Sequence, residues 1–446
     1  MKKYRTMLIL TFIIVLALGA FWFFFTYCEG EKPSIVMESF NGVIGTEGRI
    51  TIDFIDTKTG LRDIAVSVTQ EENKHVLHSL TYRMRGIHHE TVRIAIHPGD
   101  IPLKDGRARL DMSAVDYSLR KNTCHATLDV VIDTTPPRID PVSTQHYLNM
   151  GGSGVALYHL SEENTTTGIL VGDDYFQAYP FVINGAKGYV CYFACPLELE
   201  ENDISLNIIA EDAAGNRSLC SLPHHVRDRK FKRDTMNISM SFLEKKMPEF
   251  RRMIKGMEQA SLLEVFRYVN DTMRQDNFKT VQQICSTSEP RQLWEGTFLR
   301  MKNSAPMALF GDRRTYCCEG SDLGKSVHLG VDLASVQCAP VEAANTGMVV
   351  FADYLGIYGN TVIIDHGLGL FSFYAHLSSI NVATGEGINR GDIIGKTGTT
   401  GLAGGDHLHF GMYVGNRFVN PQEWWDPHWI RDNVTKKMEG INGLTD

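Results

Sequence analysis

The sequence predicts a mainly β protein with one N-terminal transmembrane helix. Behind that helix it places two β-sandwich domains, a helical connector and a β-rich C-terminal domain whose antiparallel sheet forms a groove. Three observations predict this. An uncharged apolar run extends from Met7 to Tyr27. Apolar residues alternate with polar ones along residues 33–232, the period of half-buried strands. Forty Gly and fifteen Pro supply the turns that such strands need.

The totals agree with folded domains. At 446 residues the chain has two to four domains' worth of length, and 43% hydrophobic with 22% charged residues is ordinary globular composition. A net charge of -8 without a long basic run argues against nucleic acid as a partner, because phosphate binding needs clustered Lys and Arg.

Residues 1–32 set the compartment. Lys2, Lys3 and Arg5 precede the apolar run, and Glu29 and Glu31 follow it. As a helix the run spans about 31 Å, close to a bilayer's hydrocarbon thickness. Ala17-Leu18-Gly19-Ala20 fits a signal cleavage site, but the run continues through Phe21-Trp22-Phe23-Phe24-Phe25, so an uncleaved anchor is predicted. Positive charge before the run puts the N-terminus in the cytoplasm and the bulk of the chain outside it, on a single-pass inner (cytoplasmic) membrane topology. The nine cysteines permit disulfides in that setting, but an odd number leaves one unpaired in a monomer. Structural thiols or disulfides are the expectation.

Residues 33–136 and 137–232 are expected as the two sandwiches. Ile50, Ile52 and Phe54 alternate with polar partners, as do Leu128, Val130 and Ile132. Ala114-Val115-Asp116 precedes Cys124 as Ala210-Glu211-Asp212 precedes Cys220, and both offsets between the copies are 96 residues. Asp133-Thr134-Thr135-Pro136-Pro137 is a stiff joint. These segments resemble bacterial immunoglobulin-like repeats, in which an Ala-x-Asp-x-x-Gly-Asn stretch such as Ala210–Asn216 precedes the last strand. The first copy lacks the Gly-Asn. Neither carries visible site chemistry, so spacing the C-terminal part from the membrane, or docking an envelope protein partner, is the expected role.

Residues 233–304 change period. Leu262, Phe266, Val269 and Met273 form one stripe of an amphipathic helix. A connector packing on the following domain is expected, with an inhibitory arm lying over it as the sharper alternative.

The chemistry gathers in residues 305–430. His328 and Asp332 stand four apart. His407-Leu408-His409-Phe410 alternates, so on a strand both imidazoles point to one face while Leu408, Phe410 and Met412 point to the core. Between them lies Tyr374-Ala375-His376-Leu377. Two His and one Asp suffice for a catalytic zinc ion, which takes three protein ligands and leaves a fourth position open. Two further His, at 376 and 407, then serve proton transfer and oxyanion stabilisation.

These residues, with Ala339-Pro340-Val341, Tyr358-Gly359-Asn360, Asp365-His366-Gly367 and the Gly391–Gly401 turns, resemble the lysostaphin-type (LytM-type) zinc endopeptidases. The resemblance covers less than a third of the chain. It implies His328, Asp332 and His409 as zinc ligands and His376 and His407 as the catalytic pair. Peptidoglycan stem peptides or cross-links are the substrate it implies, and hydrolysis of their peptide bonds for cell-wall remodelling is the function. Gly411 departs from the family, many of whose members have an acidic residue there. The alternative is a non-catalytic envelope regulator that binds wall or activates an amidase. His366 is expected in a structural turn, Cys317, Cys318 and Cys338 as a disulfide or buried thiols, and Trp424, Trp425 and Trp429 as a packing cap. No role falls to His88, His89, His224 or His225. Residues 431–446 are expected as a tail.

Overall fold

The structure is a computed structural model that describes residues 2–163, 165–197 and 204–439; of the tail expected at 431–446, residues 440–446 lie outside the described residues. It is mainly β, and it divides into two compact units. One gathers Met1–Pro137 with Glu162–Thr166 and Glu211–Ser218; the other holds Arg138–Ser161, Thr167–Ala210 and Leu219–Asp446.

In the first unit the helix Lys2–Tyr27 carries apolar side chains that are exposed all round, including Leu8, Phe12, Leu16 and Phe24. Its stretch Tyr4–Phe24, with mean hydropathy 2.6, is long and apolar enough to cross a membrane. A sandwich follows. Its three-stranded sheet orders Ser34–Met37, Gly48–Ile55 and His89–Ile96; the five-stranded sheet centres on Gly106–Asp116, between Leu61–Gln70 and Thr123–Ile132. Alternation decides which face is inside: Ile50, Ile52, Phe54, Leu110, Met112, Val130 and Ile132 are buried in one core.

The Ala-x-Asp stretches explain themselves here. Asp212 accepts the amides of Ala214 and Asn216 and the Asn216 side chain, while that side chain also donates to the Asp133 carbonyl. Gly215 takes φ +83°, which the turn requires. The first copy has no Gly-Asn, and Asn122 substitutes, donating to Asp116 from six residues along the chain.

The second unit opens with another sandwich. One of its sheets orders Tyr179–Ile183, Ala186–Ala194, Ser153–Leu160 and Ile139–Pro141. Here alternation fails. Ser153–Tyr158 and Val190–Ala194 are buried continuously, because the face that would be wet in an isolated sandwich is covered by other parts of the unit.

The connector begins as a strand, Arg233–Asn237, paired in parallel with Arg313–Cys318. Helices follow at Met240–Met253, Leu262–Tyr268 and Arg274–Ile284, the last two joined through a π turn. Ser261 and Glu264 form a reciprocal cap that starts the second helix. Regular helix ends at Ile284. The chain then runs without a ladder of its own and donates backbone amides of Leu293, Phe298 and Leu299 to His366, Trp424 and Ala344.

The last part is built on an antiparallel sheet. Its order is Ala305–Ala308, Val331–Ala334, Leu408–Val414, Leu370–Leu377, Asn360–Asp365, Gly347–Tyr354 and Gly387–Ile388, and Arg417–Val419 is added to Leu408–Val414. One continuous core joins it to the connector and the second sandwich. Trp424 is fully buried, with its ring against Tyr192, Trp294, Phe298 and Trp429. Gly411 also finds its reason: a side chain there would meet the Phe418 ring at 3.1 Å and Phe373 at 3.3 Å.

Candidate active site

Three adjacent strands bring the site together. Asp332 on Val331–Ala334 is the register partner of His409 on Leu408–Val414, and His409 is in turn the partner of Ala375 on Leu370–Leu377. Directly paired residues share a face, so Asp332 and His409 meet over the sheet, while Leu408, Phe410 and Met412 enter the core beneath. His328 arrives from the loop just before Val331–Ala334.

Regular pleating would send His376 to the opposite face, since its neighbour Ala375 already shares the face of His409. His376 instead adopts φ +63°, the left-handed region that costs a side-chain-bearing residue about 1–2 kcal/mol. The reversal brings its ring back, with centroids 4.9 Å from His407 and 5.9 Å from His409. Strain at this one residue places the imidazole over the site.

The ligand geometry is tight. His328 Nε2 lies 2.9 Å from Asp332 Oδ1 and 3.0 Å from His409 Nδ1, and His409 Nδ1 is 3.0 Å from the same carboxylate oxygen. His328 Nδ1 is 3.0 Å from the Leu309 carbonyl, to which it must donate, so its Nε2 is bare. Two nitrogens and a carboxylate oxygen thus converge, a donor set for zinc that a cation satisfies at once. On the far side of the His409 ring, buried Nε2 has no partner, and a Cβ at Gly330 would come within 2.6 Å of it. Glycine at 330 therefore clears space for that ring.

His376 and His407 are held alike. Each donates Nδ1–H to a carbonyl, Thr400 at 2.9 Å and Gly405 at 2.8 Å, which leaves both Nε2 atoms available. His407 Nε2 is 3.5 Å from Asp332. Burial pushes His409 down to about 4, and burial with the neighbouring His407 and His409 drives His376 well below the usual histidine range. For His407 burial acts downward too, but the hydrogen bond and charge of Asp332 outweigh it and raise the value. Asp332 is pushed upward by burial and held well below the carboxylate range by His328, His407 and His409.

All five sequence-selected residues converge. The groove above them encloses about 840 Å³. Phe242, Phe266, Arg274 and Phe278 wall it on the connector side and leave this volume open. Sequence reading missed Arg314, whose guanidinium is 3.4 Å from Asp332 Oδ2; nothing in Arg313-Arg314-Thr315 marks it, since its partner lies 18 residues on. His366 stands apart, fully buried, with Nδ1 on the Thr346 carbonyl and Nε2 on Ser372 Oγ. All nine cysteines are free thiols, with Cys318 buried and Cys338 exposed. Two acid groups, Glu29/Asp56/Asp116 and Asp133/Glu162/Asp212, lie in the first unit; in both, backbone amides occupy aspartate oxygens.

The model of peptidase family M23 matches residues 326–421. Over 95 residues the chain is 40% identical to the DD-carboxypeptidase/endopeptidase Mpg of Neisseria meningitidis, covering 21% of this chain and 22% of that protein. Over 93 residues it is 40% identical to the peptidoglycan DD-endopeptidase ShyA of Vibrio cholerae, with the same shares. The chain thus spans about a fifth of the length of these curated relatives. Among solved structures, the catalytic domain of lysostaphin from Staphylococcus simulans is 28% identical, covering 29% of this chain and 96% of that one, with TM-score 0.25. A putative M23 peptidase from Pseudomonas aeruginosa is 18% identical, covering 61% and 92%, with TM-score 0.38. Motif order, the family match and the two curated relatives agree: the C-terminal region of the chain carries a peptidase family M23 domain of the lysostaphin (LytM) type.

Proposed function

We propose that the protein is a membrane-anchored zinc endopeptidase that hydrolyses peptide bonds in peptidoglycan stem peptides or cross-links, outside the cytoplasm. One observation carries the reading: the bare Nε2 of His328, Nδ1 of His409 and a carboxylate oxygen of Asp332 converge at 2.9–3.0 Å, with two further imidazoles presenting Nε2 to the same groove. The names of Mpg and ShyA support the substrate class. The apolar helix Tyr4–Phe24 supports the anchor.

His328 Nε2, Asp332 Oδ1 and His409 Nδ1 would hold the metal, which supplies Lewis acidity and acidifies water at neutral pH. The chain does the rest. The groove aligns an extended peptide along the sheet. His376 and His407, each fixed through Nδ1, act at Nε2: one stabilises charge developing on the carbonyl oxygen, and one carries a proton to the departing amine. Phe242, Phe266 and Phe278 give the connector side of the groove an apolar wall.

The test is digestion of purified peptidoglycan by the 446-residue chain in detergent, with a His409→Ala control and bound zinc measured in both. New peptide termini, identified by mass spectrometry and absent with the variant, are expected. Intact wall from a zinc-loaded wild type would overturn the reading and favour the non-catalytic regulator.

A further inference from the structure

The groove reverses the sign of the molecule. The chain carries a net charge of -8, yet the lining of the groove holds Arg274, Lys279, Arg314 and Arg417 against a single carboxylate, that of Asp332. Two of the four are committed. Arg417 grips Asp174 through two contacts of 2.9 and 3.1 Å, and Arg274 donates twice to Asn270 at 3.1 Å. Lys279 is exposed and 3.8 Å from Asp276.

Arg314 differs from these. Its side chain is only 18% exposed, and a guanidinium has five N–H donors. Among the described residues its side-chain polar contacts are Asp332 Oδ2, at a long 3.4 Å, and Tyr316. In the function proposed above, on which this inference rests, Asp332 is shared with the metal and compensates Arg314 less. A half-buried guanidinium with spare donors beside the reacting centre calls for an anion, and its planar fork fits a carboxylate through two parallel bonds.

We propose that Arg314 is a specificity-determining residue that binds a free carboxylate on a residue flanking the scissile bond, so that the groove selects acidic peptides over their amidated counterparts. Its proximity to Asp332 sets the range: the carboxylate belongs to a residue next to the cleaved bond, not to a distant part of the substrate.

The experiment uses the zinc-loaded 446-residue chain and two cross-linked wall peptides that differ only in a flanking carboxylate, free in one and a primary amide in the other. Wild type is expected to favour the free acid by about tenfold or more in kcat/KM, the scale of one charge-assisted pair. Arg314→Met should collapse that ratio towards one, and Arg314→Lys should retain part of it. Equilibrium binding of the two peptides, followed by calorimetry, gives a readout independent of turnover: the acid should bind wild type more tightly, and Arg314→Met should abolish the difference. Equal handling of acid and amide by wild type, or a ratio unchanged in Arg314→Met, would overturn the proposal. Absence of cleavage with the binding preference intact would instead count against the endopeptidase reading and leave the carboxylate site standing.

Discussion

Glu423 accepts the backbone amide of Ser153 at 2.8 Å, so a carboxylate from the helix Pro421–Trp425 closes onto the second sandwich. It also accepts from Asn149 at 2.7 Å, and Gly152 leaves room for it, since a Cβ there would fall 2.3 Å from its oxygen. Burial raises Glu423 to about 7 from 4.5, the hydrogen bonds from Asn149 and Ser153 pulling the other way. Folding therefore favours the protonated acid. That stabilisation is complete below pH 4.5 and is lost as pH rises through about 7. The loss is about 3 kcal/mol at most. Glu423→Gln should match wild type near pH 4.5 and exceed it near pH 8. Thermal melts of both proteins across that range check the difference, and parallel curves would contradict it.

The strained backbone at His376 gives a second outcome. With φ +63°, a residue without Cβ escapes the left-handed penalty. Both His376→Ala and His376→Gly should abolish turnover, but the glycine variant should be about 1 kcal/mol more stable than the alanine one. Chemical denaturation of the two proteins measures this. In a regular strand glycine would be the less stable of the pair.

Lys246 links the connector to the loop that holds His376. It is buried, and its Nζ donates to the carbonyls of Thr399 and Gly401, on either side of the Thr400 carbonyl that holds His376 Nδ1. Lys246→Met leaves both carbonyls without that donor and should cost about 2 kcal/mol. Because the loop orients His376, kcat should fall more than KM rises. Steady-state kinetics on a soluble cross-linked peptide distinguish this from simple unfolding.

Phe298 fills the junction between the irregular connector and the helix Pro421–Trp425, 2% exposed, with its ring 4.9 Å from His366 and 5.5 Å from Trp424. Phe298→Ala should cost about 3–5 kcal/mol. A fragment starting at residue 305 would lack both Phe298 and Trp294 and should bind a hydrophobic dye in proportion to the bared core. Dye fluorescence and urea melts report both outcomes.

Much of this was legible in the residues. Alternation in His407–Met412 placed two imidazoles together, and the 96-residue echo of Ala-x-Asp announced paired sandwiches. What stayed hidden depends on contacts between distant segments. Ser153–Tyr158 does not alternate, because both of its faces are covered by chain far away in sequence. The amphipathic stripe at Leu262–Met273 gave a helix, but not that its neighbours would wall the groove. His376 was chosen by motif alone; pleating by itself argues against it, and only its positive φ brings it to the site. Arg314 has no local signature, since an ion pair across 18 residues leaves no periodicity.

The connector wall bears on what kinship can transmit. The segment matched by the family M23 model, residues 326–421, contains His328, Asp332, His376, His407 and His409, while Arg314, Phe242, Phe266 and Phe278 all lie outside it. On the function and selectivity proposed above, reactivity and discrimination are written in separate stretches of chain that meet only in the folded groove. A graft of residues 326–421 alone would therefore carry the five converging side chains without the bank that faces them.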